Sequence, residues 1–587
     1  MQERIDVRSY TARTGVDRYF LSSSRTFVLL GIICILLFWS TNEGACSNLF
    51  SKPSEAVWTY SSGSMVAFPW QPITHNIILP QTYPIPVPPG NTLSLKACRG
   101  EYEPSSFILR ALKTCKNIRI TVTDLVGPNS AIISADAIDV RVVKCWYQAG
   151  ANTHRQTGKR VLVPELLLHD DSLVKVDYKK KKNFLKIQLN GKEQYLDISS
   201  SDSVFPPGAE VKDSPFLKPF DLQKNTNKQI WITIKIPKKS PSGEYSGVIY
   251  IYHDYGAYPA LQLKLIVTVL PFDLEPPLLE YSIYYRGKLT KKPTKQLGSE
   301  WKSPSQYEKE LLDIKEHGIR YPTLYQRMDT KLKIALSIRC KVGLPKDRLY
   351  VLGLTSGNPR KRTDLAKLRL RVRRWVAKAV KFGYKSLYIY GMDEAKGEKL
   401  RSERQAWRTV HREGGKIFVA CSKGAVDIVG DLLDVAVLHG KYKSDEVRKW
   451  HKYGKKVLIY SNPQGGVENP EIYRENYGLR LLKAGYDGAM LYAYQHGMGN
   501  IWNDFDHPNY RDLVFSYPTS DGVINTIQWE GLREGIDDVR YFSTLVKTAS
   551  VMKTCLWILG GPCNGLKSLP HVREQIISEI IKSSQLR

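Results

Sequence analysis

Cysteine is scarce in this chain. Nine are spread over 587 residues, at positions 34, 46, 98, 115, 145, 340, 421, 555 and 563, too few for a disulfide scaffold at this length. No two stand at the close Cys-x-x-Cys spacing of a zinc site. Cys555 and Cys563, which flank the turn-like "LWILGGP", are spaced to suit one local bridge. The Asn-x-Ser/Thr acceptor is absent, so nothing supports N-glycosylation. Acidic residues are in deficit, 57 against 86 Lys and Arg, for a formal charge of +29. A long apolar run is missing as well. The conspicuous one, "FVLLGIICILLFW" (Phe27 to Trp39), falls short of the roughly 20 residues that a spanning helix needs.

What remains is a globular chain, 42% hydrophobic, long enough for two or three domains with ordinary cores. The positive charge suits a nucleic-acid binder, a protein at an acidic membrane surface, or an enzyme that meets acidic polymers. The basic runs "YKKKKN" (Tyr178 to Asn183) and "LRLRVRRW" (Leu368 to Trp375) have no regularly spaced stacking aromatics beside them and match no nucleic-acid motif, so no nucleic-acid partner is expected. Around the second run Leu365, Leu368, Val372, Trp375, Val376 and Val380 recur at helical spacing. Its arginines are therefore expected on the wet face of an amphipathic helix.

Arg4, Arg8, Arg13, Arg18 and Arg25 precede the apolar run 27–39, and Glu43 follows it. This is the order of a secretory signal or membrane anchor with everything downstream translocated. Residues 1–54 are read as that region. The rest of the protein is expected outside the cytoplasm, secreted or tethered through residues 27–39.

Residues 55–275 alternate with period two and carry turn punctuation, as in "QIWITIKIPKKSPSGEYSGVIYIYH" and "LQLKLIVTVLPF". That pattern predicts an antiparallel β-sandwich. The proline-rich "PFDLEPPLLE" (Pro271 to Glu280) then marks a boundary. Beyond it, in residues 276–587, eight short apolar runs alternate with helical segments: "YSIYYRG", "GIRYPTLY", "RLYVLGL", "SLYIYGMDE", "KIFVACSKG", "VAVLHGKY", "KVLIYSNPQ" and "GAMLYAYQHG". Eight strands with helical connections predict a (β/α)8 barrel followed by C-terminal helices.

The fourth run ends in two adjacent acids, Asp393 and Glu394. In such barrels the strand ends form the active site, which places the pair at a catalytic mouth. A plainer reading makes Asp393 the N-cap of a helix beginning near Ala395, with Glu394 in its first turn. Strict alternation would also send the two acids to opposite faces, and Gly391 is where the chain is expected to leave strand geometry.

The order of parts, together with "CRGEYEPSSF", "PSGEYSGVIYIY", "YGMDEAKGE" and "TIQWEGLREGIDDVRYF" (Thr526 to Phe542), resembles glycoside hydrolase family 123 over nearly all of the chain after residue 55. The resemblance implies an exo-acting β-N-acetylgalactosaminidase that uses no metal or other cofactor and has a glycan as its partner. It also explains the adjacency. A conventional retaining glycosidase needs two carboxylates about 5 Å apart across the sugar. Where the substrate's own 2-acetamido oxygen attacks, the enzyme supplies one acid/base and one group that holds the acetamido. By resemblance Glu394 is the acid/base, and Asp393 accepts the acetamido N–H and offsets the charge of the oxazolinium ion.

Other candidates at the mouth are Arg286 after strand one, His439 closing strand six, Tyr460 and Asn462 at strand seven, and Tyr494 and Trp502 at or after strand eight. Sugar sites want aromatic platforms and polar groups of these kinds. Trp529, Arg533 and Asp537 are expected to anchor the last barrel helix. Two other functions fit the same residues. One is a conventional retaining glycosidase with Glu394 as acid/base and Glu468 as nucleophile. The other is a non-catalytic glycan-binding protein of the cell surface. The positive charge favours acidic or sulfated glycans.

Overall fold

In Leu261–Val269 the positions Leu261, Leu263, Leu265, Val267 and Val269 are buried while Gln262 and Lys264 face water, the alternation of a sheet with one wet face. In the computed structural model, which describes residues 63–290, 297–548 and 569–585, this strand belongs to one of two facing sheets. The first runs Met65–Trp70, Tyr102–Ala111, Asn227–Lys235, Ile138–Gln148, Val161–Leu168 and is antiparallel throughout. The second runs Phe220–Leu222, Cys115–Val122, Gly243–Tyr252, Leu261–Val269, Thr92–Ala97. Phe107, Trp146 and Ile232 of the first share one core with Ile118, Tyr245 and Leu265 of the second. The expected all-antiparallel order fails at one edge, where Thr92–Ala97 pairs parallel to Leu261–Val269. The long stretch of chain between those two strands permits a pairing that a tight hairpin cannot make.

The barrel strands are β1 (Glu280–Ile283), β2 (Tyr321–Pro322), β3 (Leu349–Thr355), β4 (Leu387–Tyr390), β5 (Lys416–Cys421), β6 (Val435–His439), β7 (Lys456–Tyr460) and β8 (Gly488–Leu491). They pair in parallel around the ring, β8 with β1 included. The seam between β2 and β3 is held by a bridge from Leu324 to Val351, so the eight strands form a nearly closed barrel. Strands covered on both faces must be apolar throughout, and β4 and β8 are buried at every position. At the barrel's N-terminal end Glu280 accepts from Arg348 and from Lys456 Nζ, the latter at 3.1 Å. That charge is fully paired.

The connecting helices begin where their caps dictate. Ser303 accepts the N–H of Gln306 before Pro304–Glu316, and Asn469 accepts that of Ile472 before Pro470–Tyr477, each with proline in the first turn. The basic helix Arg362–Lys381 buries Leu368, Val372, Trp375 and Ala379. Arg371, Arg373 and Arg374 stay in water. Val380, expected on the buried face, is 63% exposed because Ala379 occupies that stripe. Tyr178 to Lys181 of "YKKKKN" form the solvated turn between two strands of a small three-stranded sheet, and Lys182 and Asn183 begin the second strand, with Asn183 buried.

The motif at Thr526 to Phe542 becomes the helix Ile527–Thr548, which ties the sandwich to the barrel. A Cβ on Gly531 would lie 2.1 Å from the Pro470 carbonyl oxygen, and one on Gly535 2.8 Å from that of Arg474. Glycine at both positions lets this helix touch Pro470–Tyr477 backbone to backbone. Gln528 Nε2 donates to Glu165 of the sandwich at 2.7 Å, and the Tyr541 hydroxyl to Glu101 at 2.8 Å. Asp538 accepts from Arg474 at 2.7 Å and from Arg573 at 2.6 Å. Trp529 Nε1 donates to Asp313 at 3.1 Å, Arg533 pairs with Glu530, and Asp537 accepts from Arg540 at 2.6 Å.

The apolar run 27–39 and the Cys555–Cys563 pair lie outside the described residues. Among the described residues no helix is long and apolar enough to cross a membrane.

Candidate active site

Tyr390 is the last residue of β4, and the chain continues beside β5. The N–H of Gly391 donates to Phe418 O and that of Glu394 to Ala420 O, both at 3.0 Å. Glu394 itself takes a positive φ of 47°. The chain leaves the strand at Gly391, as expected, and the turn that separates the two acids follows at Glu394. Gly391 is needed for packing, since a Cβ there would meet Trp407 and Val419 at 3.1 Å.

Asp393 and Glu394 are both exposed. Asp393 Oδ1 accepts from the Tyr390 hydroxyl at 2.6 Å, and Glu394 Oε1 accepts from the Tyr460 hydroxyl at the end of β7. Neither acid is in an ion pair among the described residues. The helix-cap reading fails: the next helix is Gly397–Ser402, with Lys396 at its N-cap and no side-chain cap.

Around the pair stand tyrosines from five strand ends: Tyr284 after β1, Tyr325 after β2, Tyr390, Tyr460, and Tyr492 after β8. The rings of Tyr284 and Tyr390 meet edge to face at 6.3 Å, and those of Tyr284 and Tyr492 lie 5.2 Å apart. Burial raises all five hydroxyls, and the nearby charge of Asp393 adds to the effect. They stay protonated and surround the acids with neutral donors.

Arg286 lies in the same mouth. Its Nη1 donates to the Tyr492 hydroxyl at 3.0 Å, its Nη2 to Glu300, and its guanidinium lies 5.7 Å from the Tyr325 ring centre. The Tyr492 hydroxyl also meets His496 Nδ1 at 3.0 Å. Burial, and then Arg286, pushes His496 down to about 4, so near neutrality its ring is uncharged. His439 is exposed at the end of β6, its ring edge to face with Tyr460 at 5.3 Å. Asn462 is half-buried, its N–H donating to the Tyr477 hydroxyl at 2.8 Å and its carbonyl accepting from Asn476 at 3.2 Å. It shapes the loop after β7.

Three expected residues are placed elsewhere. Tyr494 is fully buried and donates to Asp313 at 2.8 Å, because that part of the chain has already turned behind the barrel wall. Trp502 is buried against Trp146 and Tyr517 and donates to Pro518 O at 3.1 Å, since the loop after β8 packs its aromatics into the sandwich core. Glu468 is 3% exposed, with both carboxylate oxygens in the fork of Arg511. Arg511 also donates to Asp504 at 2.6 Å.

The sequence reading passed over Tyr284, Tyr325, Tyr390 and Tyr492. Their signal was tyrosine recurring at the ends of the apolar runs, as in "YSIYY", "PTLY" and "LYIY".

Among the described residues one group has metal-ligand geometry: ligand atoms of His75, Glu471 and Glu475 lie within 4.8 Å of one another. Glu475 is already held by Arg480 at 2.8 Å, and Glu471 accepts the His75 backbone N–H at 2.6 Å. A cavity of about 350 Å³ at the sandwich edge, lined by Trp70, Glu103, Glu534 and Arg573, does not include the acid pair.

The fold has a counterpart among solved structures. This chain shares its fold with a family 123 glycoside hydrolase. That protein, from Clostridium perfringens, was analysed for glycolipid glycan hydrolysis; it aligns with 89% of this chain and 98% of its own at a TM-score of 0.59 and 13% identity. A Bacteroides ovatus GH5 xyloglucanase aligns with 76% of this chain and 98% of its own, but at a TM-score of 0.28 and 9% identity. No family model matches the sequence, and no curated protein matches it.

Proposed function

We propose that this protein is a glycoside hydrolase that removes a terminal β-linked 2-acetamido sugar, N-acetylgalactosamine first among candidates, by substrate-assisted retaining hydrolysis. The observation that carries the proposal is the adjacent, exposed Asp393–Glu394 pair, held by two tyrosine hydroxyls at the C-terminal mouth of the barrel. Two neighbouring residues do not straddle a sugar as acid and nucleophile must, whereas they suit an acid beside an acetamido-holding group.

Glu394 protonates the leaving oxygen and later activates water. Asp393, its Oδ1 occupied by Tyr390, presents Oδ2 to the acetamido N–H and stabilises the oxazolinium charge. Tyr460 directs its one hydroxyl proton at Glu394 Oε1 and so orients the acid. The burial of Glu468 in the fork of Arg511 weighs against the conventional alternative, since a nucleophile needs an oxygen open to the anomeric carbon. In this reading the protein works outside the cytoplasm, delivered or tethered by residues 27–39, on glycans that include acidic or sulfated ones.

The test is a panel of aryl β-glycosides comparing 2-acetamido with 2-hydroxy sugars and galacto with gluco configuration. Turnover confined to the 2-acetamido substrates is expected. Equal turnover of 2-hydroxy sugars overturns substrate assistance, and glycan binding without turnover leaves the non-catalytic alternative.

A further inference from the structure

Just beyond β1, Lys288–Leu289 and Trp301–Lys302 form a two-rung parallel ladder, Lys288 opposite Trp301 and Leu289 opposite Lys302. Alternate residues here go to opposite sides. Tyr285 and Leu289 are buried, Tyr285 donating to Glu310. Lys302 is buried as well, its Nζ donating to Glu310 at 2.6 Å and to Gln495 at 2.7 Å. The other set, Tyr284, Arg286 and Lys288, shares a side with the mouth tyrosines, and Trp301 is the rung partner of Lys288.

Trp301 is 52% exposed. Among the tryptophans of the described residues it alone is exposed, and an indole face held open beside the mouth suits a ligand with an apolar face. Its position is fixed from beneath: Lys288 Nζ lies 4.8 Å from the indole centre and donates to Glu300 at 2.7 Å. Glu300 in turn holds Arg286, which donates to Tyr492, a member of the ring around Asp393. An unbroken chain of contacts therefore runs from the acid pair to the indole. Glu300 is shared by the two cations Arg286 and Lys288, and the outermost surface is an aromatic face. One side of that face is covered by Lys288.

We infer that Trp301 is the stacking platform for a sugar on the leaving-group side of the scissile bond, which makes the substrate an oligosaccharide chain and not a single glycosylated residue. This rests on the glycosidase reading of the mouth. Pyranose rings present C–H faces that pack on aromatic planes, and a platform separated from the acids by Tyr492, Arg286, Glu300 and Lys288 is too remote for the sugar that is cleaved. The terminal 2-acetamido sugar occupies the tyrosine ring, and the following sugars run along this wall. Trp301 touches no reacting atom, so its contribution is to binding of extended substrates alone.

The experiment compares wild type with Trp301→Ala and Trp301→Phe in the full chain on two substrates, an aryl 2-acetamido-2-deoxy-β-galactoside and a tetrasaccharide ending in β-N-acetylgalactosamine. For Trp301→Ala, kcat/KM on the tetrasaccharide should fall about tenfold through KM while the aryl glycoside stays within about twofold, and Trp301→Phe should recover most of the loss. Equal losses on both substrates, or no loss on the tetrasaccharide, overturn the platform. Should wild type cleave neither substrate, the catalytic reading fails by itself. Calorimetric binding of the same tetrasaccharide then decides the platform: weaker binding by Trp301→Ala supports it, and equal or absent binding refutes it.

Discussion

Glu468 and Glu394 both stand just beyond barrel strands, yet their surroundings are opposite. Glu468 is sealed between sandwich and barrel, and its charge is met by Arg511, which also serves Asp504. Glu394 lies open at the mouth with the neutral hydroxyl of Tyr460 as its partner. The same contrast extends to their neighbourhoods, with Asp538, Arg474 and Arg573 locked together at the seam and Asp393 held by Tyr390 at the mouth. A buried carboxylate in a guanidinium fork has its lone pairs committed and cannot be lost without exposing an unpaired charge. One oriented by neutral donors keeps a free oxygen and can exchange a proton. Partner type, more than residue type, separates the committed carboxylate from the open one here.

The sharpest way to break this comparison is to replace the mouth acids by their amides. Glu394→Gln should cost on the order of 10² to 10⁴ in rate with poor leaving groups and much less with activated aryl groups that need no protonation. Asp393→Asn should cost on the order of 10² to 10³ whichever leaving group is used. Neither should shift the melting temperature, and a drop of several degrees in either would place that acid with the structural set.

The converse is Arg511→Met at the seam. It strands Glu468 and Asp504 and should destabilise the protein by about 3–5 kcal/mol, read by denaturant unfolding. Adding Glu468→Gln to it should recover part of the loss. An unchanged midpoint in the single variant would remove the distinction drawn between the two glutamates.

A smaller effect belongs to the tyrosines. Tyr390→Phe and Tyr460→Phe should each lower kcat by about three- to tenfold at constant melting temperature, by removing the hydrogen bond that orients each acid. Wild-type rates in both would mean that the ring merely fills space.

pH sharpens the picture of the buried side. Burial opposes a charge on His317, but Asp313 and then Glu530 outweigh it and push its pKa up to about 9. Burial, and then the charge of Glu468, pushes Glu165 up to about 8. In both groups the folded state holds its proton more tightly than the unfolded state, so stability falls as pH rises. The share from Glu165 is lost from about pH 4.5 to 8, and that from His317 from about 6.5 to 9. Melting temperature should therefore decline from pH 6 to pH 9, and His317→Asn should flatten the upper part of that slope. A flat wild-type profile would contradict it.

The weakest expected effect concerns net charge. Turnover of a sulfated glycan should exceed that of its neutral counterpart a few-fold at low salt, and the difference should vanish near 0.5 M salt, where screening is complete within a few ångströms. Equal rates at low salt would show that the +29 charge plays no part in substrate choice.

Much of this was legible before any coordinates. Strands buried on both faces must be short continuous apolar runs, so the eight barrel strands could be counted from residues alone, and period two marked the sandwich. Asp393 and Glu394 stood out because strand order places them at the C-terminal mouth of the barrel. The tyrosine ring did not, because a tyrosine ending a buried strand reads the same whether it packs or faces a substrate. Trp502 and Tyr494 were misplaced for the related reason that an aromatic residue after a strand says nothing about which way its loop turns.

The local chemistry of this protein, strand or helix, cap or turn, acid or aromatic, is determined by the order of residues over short distances, because alternation and helical periodicity are local interactions. Which acid is free was decided by contacts that no local pattern encodes. Arg511 reaches Glu468 from 43 residues away, and Tyr460 reaches Glu394 from 66. Those distances close only when the barrel curls and the loop after β8 folds back on the sandwich. Tertiary structure thus gave one glutamate a permanent cation and the other a neutral hydroxyl.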